Sequence, residues 1–98
     1  MNNDKKASLI NAIKTGKIDE VGLLDYVTDN DISIAIAVAE SVWASSPILD
    51  IAAHDNDRRV RWAALNNKNI GTETLRFLCK DEDCQISDRA ATLIKERA

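Results

Sequence analysis

The stretch Ile32–Ala39, ISIAIAVA, decides the fold. Read by itself it alternates as a half-buried β-strand does. Yet alanine favours helix, and Ile34, Ala37, Val38 and Ser41 fall on one helical face. The deciding comparison lies further along the chain. Twenty-six residues on, the same place is filled by RRVRWAAL, and 26 beyond that by CQISDRAA. Neither alternates apolar with polar, so helix is the expected state of all three.

The 26-residue spacing runs through the chain. Leu23, Leu49 and Leu75 share it, as do Asp29, Asp55 and Asp81, and Asp31, Asp57 and Asp83. Ile34, Val60 and Ile86 make a fourth column; Val38, Ala64 and Ala90 make a fifth. The segments 17–42, 43–68 and 69–94 therefore read as three copies of one unit, preceded by a leader of residues 1–16. Each unit reads as a short helix, a tight turn and a second helix. Ser46 and Thr72 are candidate N-caps for the first helices, with Pro47 at the favoured first helical position. Asp31, Asp57 and Asp83 are candidate caps for the second. The leader reads as a lone capping helix, with Leu9, Ile10 and Ile13 inward and Gly16 at its end. A unit this short cannot bury its own apolar face, so successive units must stack. The expected architecture is all-α: an α-α superhelix in one domain, residues 1–98, forming a small right-handed solenoid.

The second unit, SPILDIAAHDNDRRVRWAALNN, resembles a leucine-rich repeat variant unit and, more loosely, HEAT and armadillo repeats. Pro47, Leu49, Ala52, Asp55, Asp57, Val60, Arg61, Ala63 and Asn66 carry the likeness. The third unit shares it at Leu75, Leu78, Asp81, Asp83, Ile86 and Ala90, with Ser87 in place of arginine; the first shares it at Leu23, Asp29, Asp31, Ile34 and Ala37. The resemblance implies a scaffold that binds other macromolecules. It leaves open whether one helix of each unit is α or 3₁₀. The iron–sulfur module known beside such repeats has no counterpart in a chain with two cysteines.

Composition narrows the function classes. A formal charge of −3 opposes non-specific nucleic-acid binding and polybasic membrane attachment. No apolar run approaches the roughly 18 residues of a membrane span. The start, MNNDKKASL, lacks the apolar stretch of a secretory signal. Cys79 and Cys84 are too few for a disulfide framework. A cytoplasmic protein is the simplest expectation.

The repeat serves as an internal control, because residues that recur in every unit read as structural. The Asp-x-Asp pairs recur, so they read as turns and caps rather than a calcium loop, which needs more oxygen ligands. His54 has no second histidine to complete a metal site or a catalytic pair. Cys79 reads as a buried thiol, and Cys84 as a thiol near a helix start, where thiolate is favoured. No catalytic residue, metal site or cofactor is expected.

The segment Arg58, Arg59, Arg61 and Trp62 largely departs from the repeat; Arg61 alone also matches the pattern of the resembled family, which makes it the member expected to be structural. Arg58, Arg61, Trp62 and Leu65 are expected on a face adjoining the inward one. Arginine and tryptophan are enriched at binding hot spots, which makes this patch the candidate site. The structural alternative is that Arg58 packs over Trp62 while the arginines pair with Asp29, Asp55 or Asp83. The expected function is non-enzymatic protein binding to an acidic or extended peptide, with Arg58, Arg61 and Trp62 as anchors and Arg59 at the rim. The alternative is nucleic-acid or phosphate binding by the same arginines with Lys5, Lys6, Lys14 and Lys17. Leu93 and Ile94 have no following unit to cover them, so the last helix is expected either to be capped by its own polar residues or to form a homodimer through the C-terminal helix.

Overall fold

In the computed structural model, which describes residues 3–97, ISIAIAVA is a helix. The described residues form seven α-helices and no strand: α1 (Asn3–Lys14), α2 (Glu20–Val27), α3 (Ile32–Glu40), α4 (Ser46–Ala53), α5 (Arg58–Leu65), α6 (Thr72–Leu78) and α7 (Cys84–Arg97). The helix type left open by the sequence is α in every case. Strand-like alternation arises in α3 because it is surrounded. It packs against α1, α2, α4 and α5, and Ile34, Ala35, Ala37, Val38 and Ala39 are all buried. A helix covered nearly all round needs no polar face, so its pattern loses the 3.6-residue period.

The helices sort into two layers. In one, α1 packs on α3, α3 on α5 and α5 on α7; in the other, α2 packs on α4 and α4 on α6. The pairs α2–α3, α4–α5 and α6–α7 join the layers, within extents of 41 × 22 × 16 Å. Leu23, Leu49 and Leu75 lie buried in the second layer. Ile34, Val60 and Ile86 lie buried in the first, with Val38, Ala64 and Ala90. Alanine at so many contact positions lets short helices approach closely.

Helix starts follow the aspartates. Asp31, Asp57 and Asp83 accept from the backbone N–H groups of Ser33, Arg59 and Gln85 at 3.0, 2.8 and 2.9 Å. Each cap is itself fixed two residues upstream: Asp29, Asp55 and Asp81 accept from the N–H groups of Asp31, Asp57 and Asp83 at 2.8, 2.8 and 2.9 Å. Such caps contribute about 1 kcal/mol each. At α4 and α6 the caps lie one residue earlier than the sequence suggests. Ser45 and Gly71 hold the cap positions, neither with a side-chain cap bond, while Ser46 and Thr72 are the first helical residues. The Ser45 hydroxyl instead bonds Glu20 at 2.6 Å, across to α2.

Hooks one spacing apart end the first-layer helices. The Ser41 hydroxyl donates to the Ile13 carbonyl. The buried Asn67 amide donates to the carbonyls of Ala39 and Ser41 at 2.9 and 2.8 Å. Leu93, the next residue at this spacing, has no polar group to hook with, and α7 runs through it to Arg97. Leu93 and Ile94, expected to lie uncovered, are half-buried against the core. At the end of α1, Gly16 adopts φ +75° and lies beneath Trp43; a Cβ there would come within 2.4 Å of the indole ring.

Candidate functional site

The candidate residues all stand on α5, whose start is set by Asp57. The structure divides them. Arg58 reaches across to α7, where its Nε bonds the capping Asp83 and its Nη2 bonds Gln85 at 2.7 Å. The pairing holds the Asp83 carboxyl below its ordinary pKa. Lys6 stands 52 residues before Arg58 and makes the same bridge two helix pairs earlier, to Asp31 at 3.0 Å. Between these two, Ile32 stands where the cation would be, and Asp57 is left without a partner from the preceding helix. It takes Arg59 instead, from within its own turn, at 3.0 Å (Nε) and 2.7 Å (Nη2). The adjacent guanidinium lowers Asp57 to about 2. Arg58 is therefore less singular than its column suggests, because the leader supplies its counterpart.

Arg61 stands apart from the other three. Its Nε and Nη2 grip Asp81 at 2.9 and 3.4 Å, and its Nη1 donates to the carbonyls of Asp55 and Asn56. Both partners are largely withdrawn from water, with side chains 13% and 7% exposed. Arg61 thus ties the α4–α5 turn to the α6–α7 turn and does not line the groove that holds Trp62. Leu65, expected beside them on an exposed face, is buried in the core. On a helix packed by α3, α4 and α7, little of the circumference remains open.

Trp62 is 40% exposed and lines a groove of about 440 Å³ between α3 and α5. Ile36 and Glu40 form the α3 wall; Arg58, Arg59, Trp62 and Asn66 line the other. Arg58 is drawn off to Asp83 and Arg59 to Asp57, away from the indole. A smaller depression of about 230 Å³ shares Glu40, Asn66 and Asn67 with this groove and adds Val42, Lys68 and Asn69.

No match to a known protein accompanies these residues: no family model, no curated protein and no solved structure matches the chain. The chemistry on offer is that of recognition. An aromatic ring and an isoleucine on facing walls offer apolar surface beside cationic and amide groups, a combination suited to holding a side chain and its neighbouring main chain. Elsewhere, His54 stacks on Phe77 at 3.9 Å and its Nδ1 lies 2.8 Å from the Asp50 carbonyl. Cys79 is half-buried and Cys84 exposed, both as free thiols. Among the described residues no group of three or more His, Cys, Asp or Glu side chains is placed to hold a metal ion. No helix among them is long and apolar enough to cross a membrane.

Sequence reasoning passed over Ile36, Glu40 and Lys68. A signal was present for the first. Ile10, Ile36 and Trp62 share the 26-residue spacing, an apolar stripe visible once the leader is aligned with the units. Glu40 and Lys68 carry no such mark.

Proposed function

We propose that the chain is a non-enzymatic, cytoplasmic binding module: a single helical-repeat domain stacked as a small right-handed α-solenoid, holding an acidic or extended peptide of a protein partner. The groove between α3 and α5, with a partly open tryptophan on its α5 wall, carries this reading. Trp62 is the anchor; Arg58 and Arg59 stand at its rim. A tryptophan left 40% exposed leaves apolar surface whose burial by a partner is favourable, at about 25 cal/mol per Å². Arg61 supports the site from behind as a clamp between turns. The pairing of Arg58, Arg59 and Arg61 with carboxylates of this chain, in a chain of formal charge −3, weighs against a phosphate backbone and leaves the apolar surface of Trp62 as the main source of affinity for an extended peptide.

Panning a displayed library of random 12-residue peptides on the intact chain tests the proposal. Enrichment of peptides that bind the wild type and fail on Trp62→Ala is the expected result. Peptides that survive Trp62→Ala, or no enrichment at all, would sink it. So would labelled oligonucleotides that bind far more tightly than any peptide and lose affinity steeply with salt.

A further inference from the structure

Most polar groups around the α3–α5 groove are already engaged within the chain. Asp83 and Gln85 hold Arg58, and Asp57 holds Arg59. The Asn66 side chain bonds the Trp62 carbonyl and Arg89. The Asn67 side chain bonds the carbonyls of Ala39 and Ser41 and the Asn69 N–H. Among the charged and amide side chains of the lining, only that of Glu40 has no hydrogen bond or ion pair with the described residues.

Local structure does not account for Glu40. It is the last residue of α3 and the one charged residue in that helix. A carboxylate there faces the negative end of the helix dipole, where a cation would be favoured. The residues 26 before and after it, Lys14 and Asn66, are not acidic. Ile36 lies one turn earlier on the same face of α3, and Trp62, 40% exposed, lines the facing wall. With both arginines offset by carboxylates of this chain, the groove presents apolar surface and one open negative charge.

Resting on the peptide-binding reading above, we propose that the groove takes a lysine or arginine side chain of an extended partner segment, its methylene stem against Trp62 and Ile36 and its cationic head on Glu40. These two side chains match such a surface because their stems cover apolar groups while their heads stay in water. Tryptophan is also the aromatic ring that attracts a cation most strongly. The helices α3 and α5 pack directly, and packed helices have axes about 8–10 Å apart, so one side chain meets both walls. An acidic side chain finds no open cation in this groove and is repelled by Glu40. Lys68 shares the adjoining smaller depression with Glu40 but makes no ion pair with it, so it opposes an incoming cation without occupying its place.

The same peptide library provides the test, panned at low salt on the intact wild type and on Trp62→Ala, Glu40→Lys and Lys68→Gln, each checked for helicity by circular dichroism. The wild-type pool is expected to share one Lys or Arg, and Glu40→Lys to replace it by Asp or Glu. Changing that residue to Gln in a selected peptide should weaken binding about two- to fivefold, and Glu40→Gln should do the same. Combining the two changes should cost no more than either alone, because both remove one contact. Lys68→Gln should leave binding unchanged or tighten it. Trp62-dependent peptides without a shared basic residue, peptides indifferent to both Glu40 changes, additive losses, or weaker binding on Lys68→Gln overturn the cation assignment and leave the groove standing. A pool that survives Trp62→Ala, or no enrichment at all, overturns the groove and this inference with it.

Discussion

Replacing Arg61 by alanine should cost about 3 kcal/mol, far more than any other arginine on α5. The side chain is only 13% exposed, and the Asp81 carboxylate it grips is only 7% exposed. Truncation leaves Asp81 as a charge withdrawn from water, supported only by the Asp83 N–H, and strips a donor from the carbonyls of Asp55 and Asn56. Breaking such a buried pair from one side costs about 3–5 kcal/mol, and the Asp83 N–H places this case at the low end. A chain of 98 residues has about 5–15 kcal/mol of net stability in total. At about 4–8 °C per kcal/mol, the melting temperature should fall by roughly 12–24 °C. Urea and thermal unfolding followed at 222 nm measure this, with Arg59→Ala as the control. Arg59 is largely exposed and its removal should stay within about 0.5 kcal/mol. Arg61→Lys keeps the charge and loses the fork, so it should fall between the two. If Arg61→Ala unfolds within about 0.5 kcal/mol of Arg59→Ala, the turn-to-turn clamp is not holding these turns together.

Three further outcomes follow from the same contacts. Asn67→Ala removes two buried donor contacts and the acceptor for the Asn69 N–H; it should cost about 2–3 kcal/mol and speed hydrogen exchange at Asn69, and unchanged exchange would refute the hook. Gly16→Ala combines a left-handed φ with a collision against Trp43; it should destabilise by about 1–3 kcal/mol, with part of the loss recovered in Gly16→Ala/Trp43→Ala, and no recovery would place the strain in the backbone alone. Asp57 titrates at about 2 rather than the ordinary 3.8 because of Arg59, so the stability it contributes is full above about 4 and lost as pH falls toward 2. In Arg59→Gln its midpoint, read from the side-chain carboxyl carbon by NMR, should rise toward 3.8; an unmoved midpoint would show that the backbone bonds alone set it.

The candidate site was legible in one respect and opaque in another. Comparing residues 26 apart isolated Arg58, Arg59, Arg61 and Trp62 from the repeated positions around them, and all four do stand on one short helix. The same comparison could not say which way each arginine goes. Their partners, Asp83 for Arg58 and Asp81 for Arg61, lie 25 and 20 residues away on a different helix or turn. Side chains this long, on a helix contacted from several sides, have several carboxylates within reach. Counting the leader as outside the repeat also hid the kinship of Lys6 with Arg58 and of Ile10 with Ile36 and Trp62.

By itself the sequence determined the seven helices and the positions of the second-helix caps. Those depend on residues within a few positions of each other: an aspartate and the N–H two residues on, or apolar side chains one helical turn apart. It also determined that ISIAIAVA is helical, through the spacing that aligns it with two unambiguous helices. Only the tertiary structure decided which residues the open surface keeps. Packing α3 and α5 side by side turned Trp62 into one wall of a groove, drew Leu65 into the core and sent Arg61 to bind two turns together. Those outcomes depend on distances between helices, and a pattern along one chain records the period of its contacts without recording what stands on the other side.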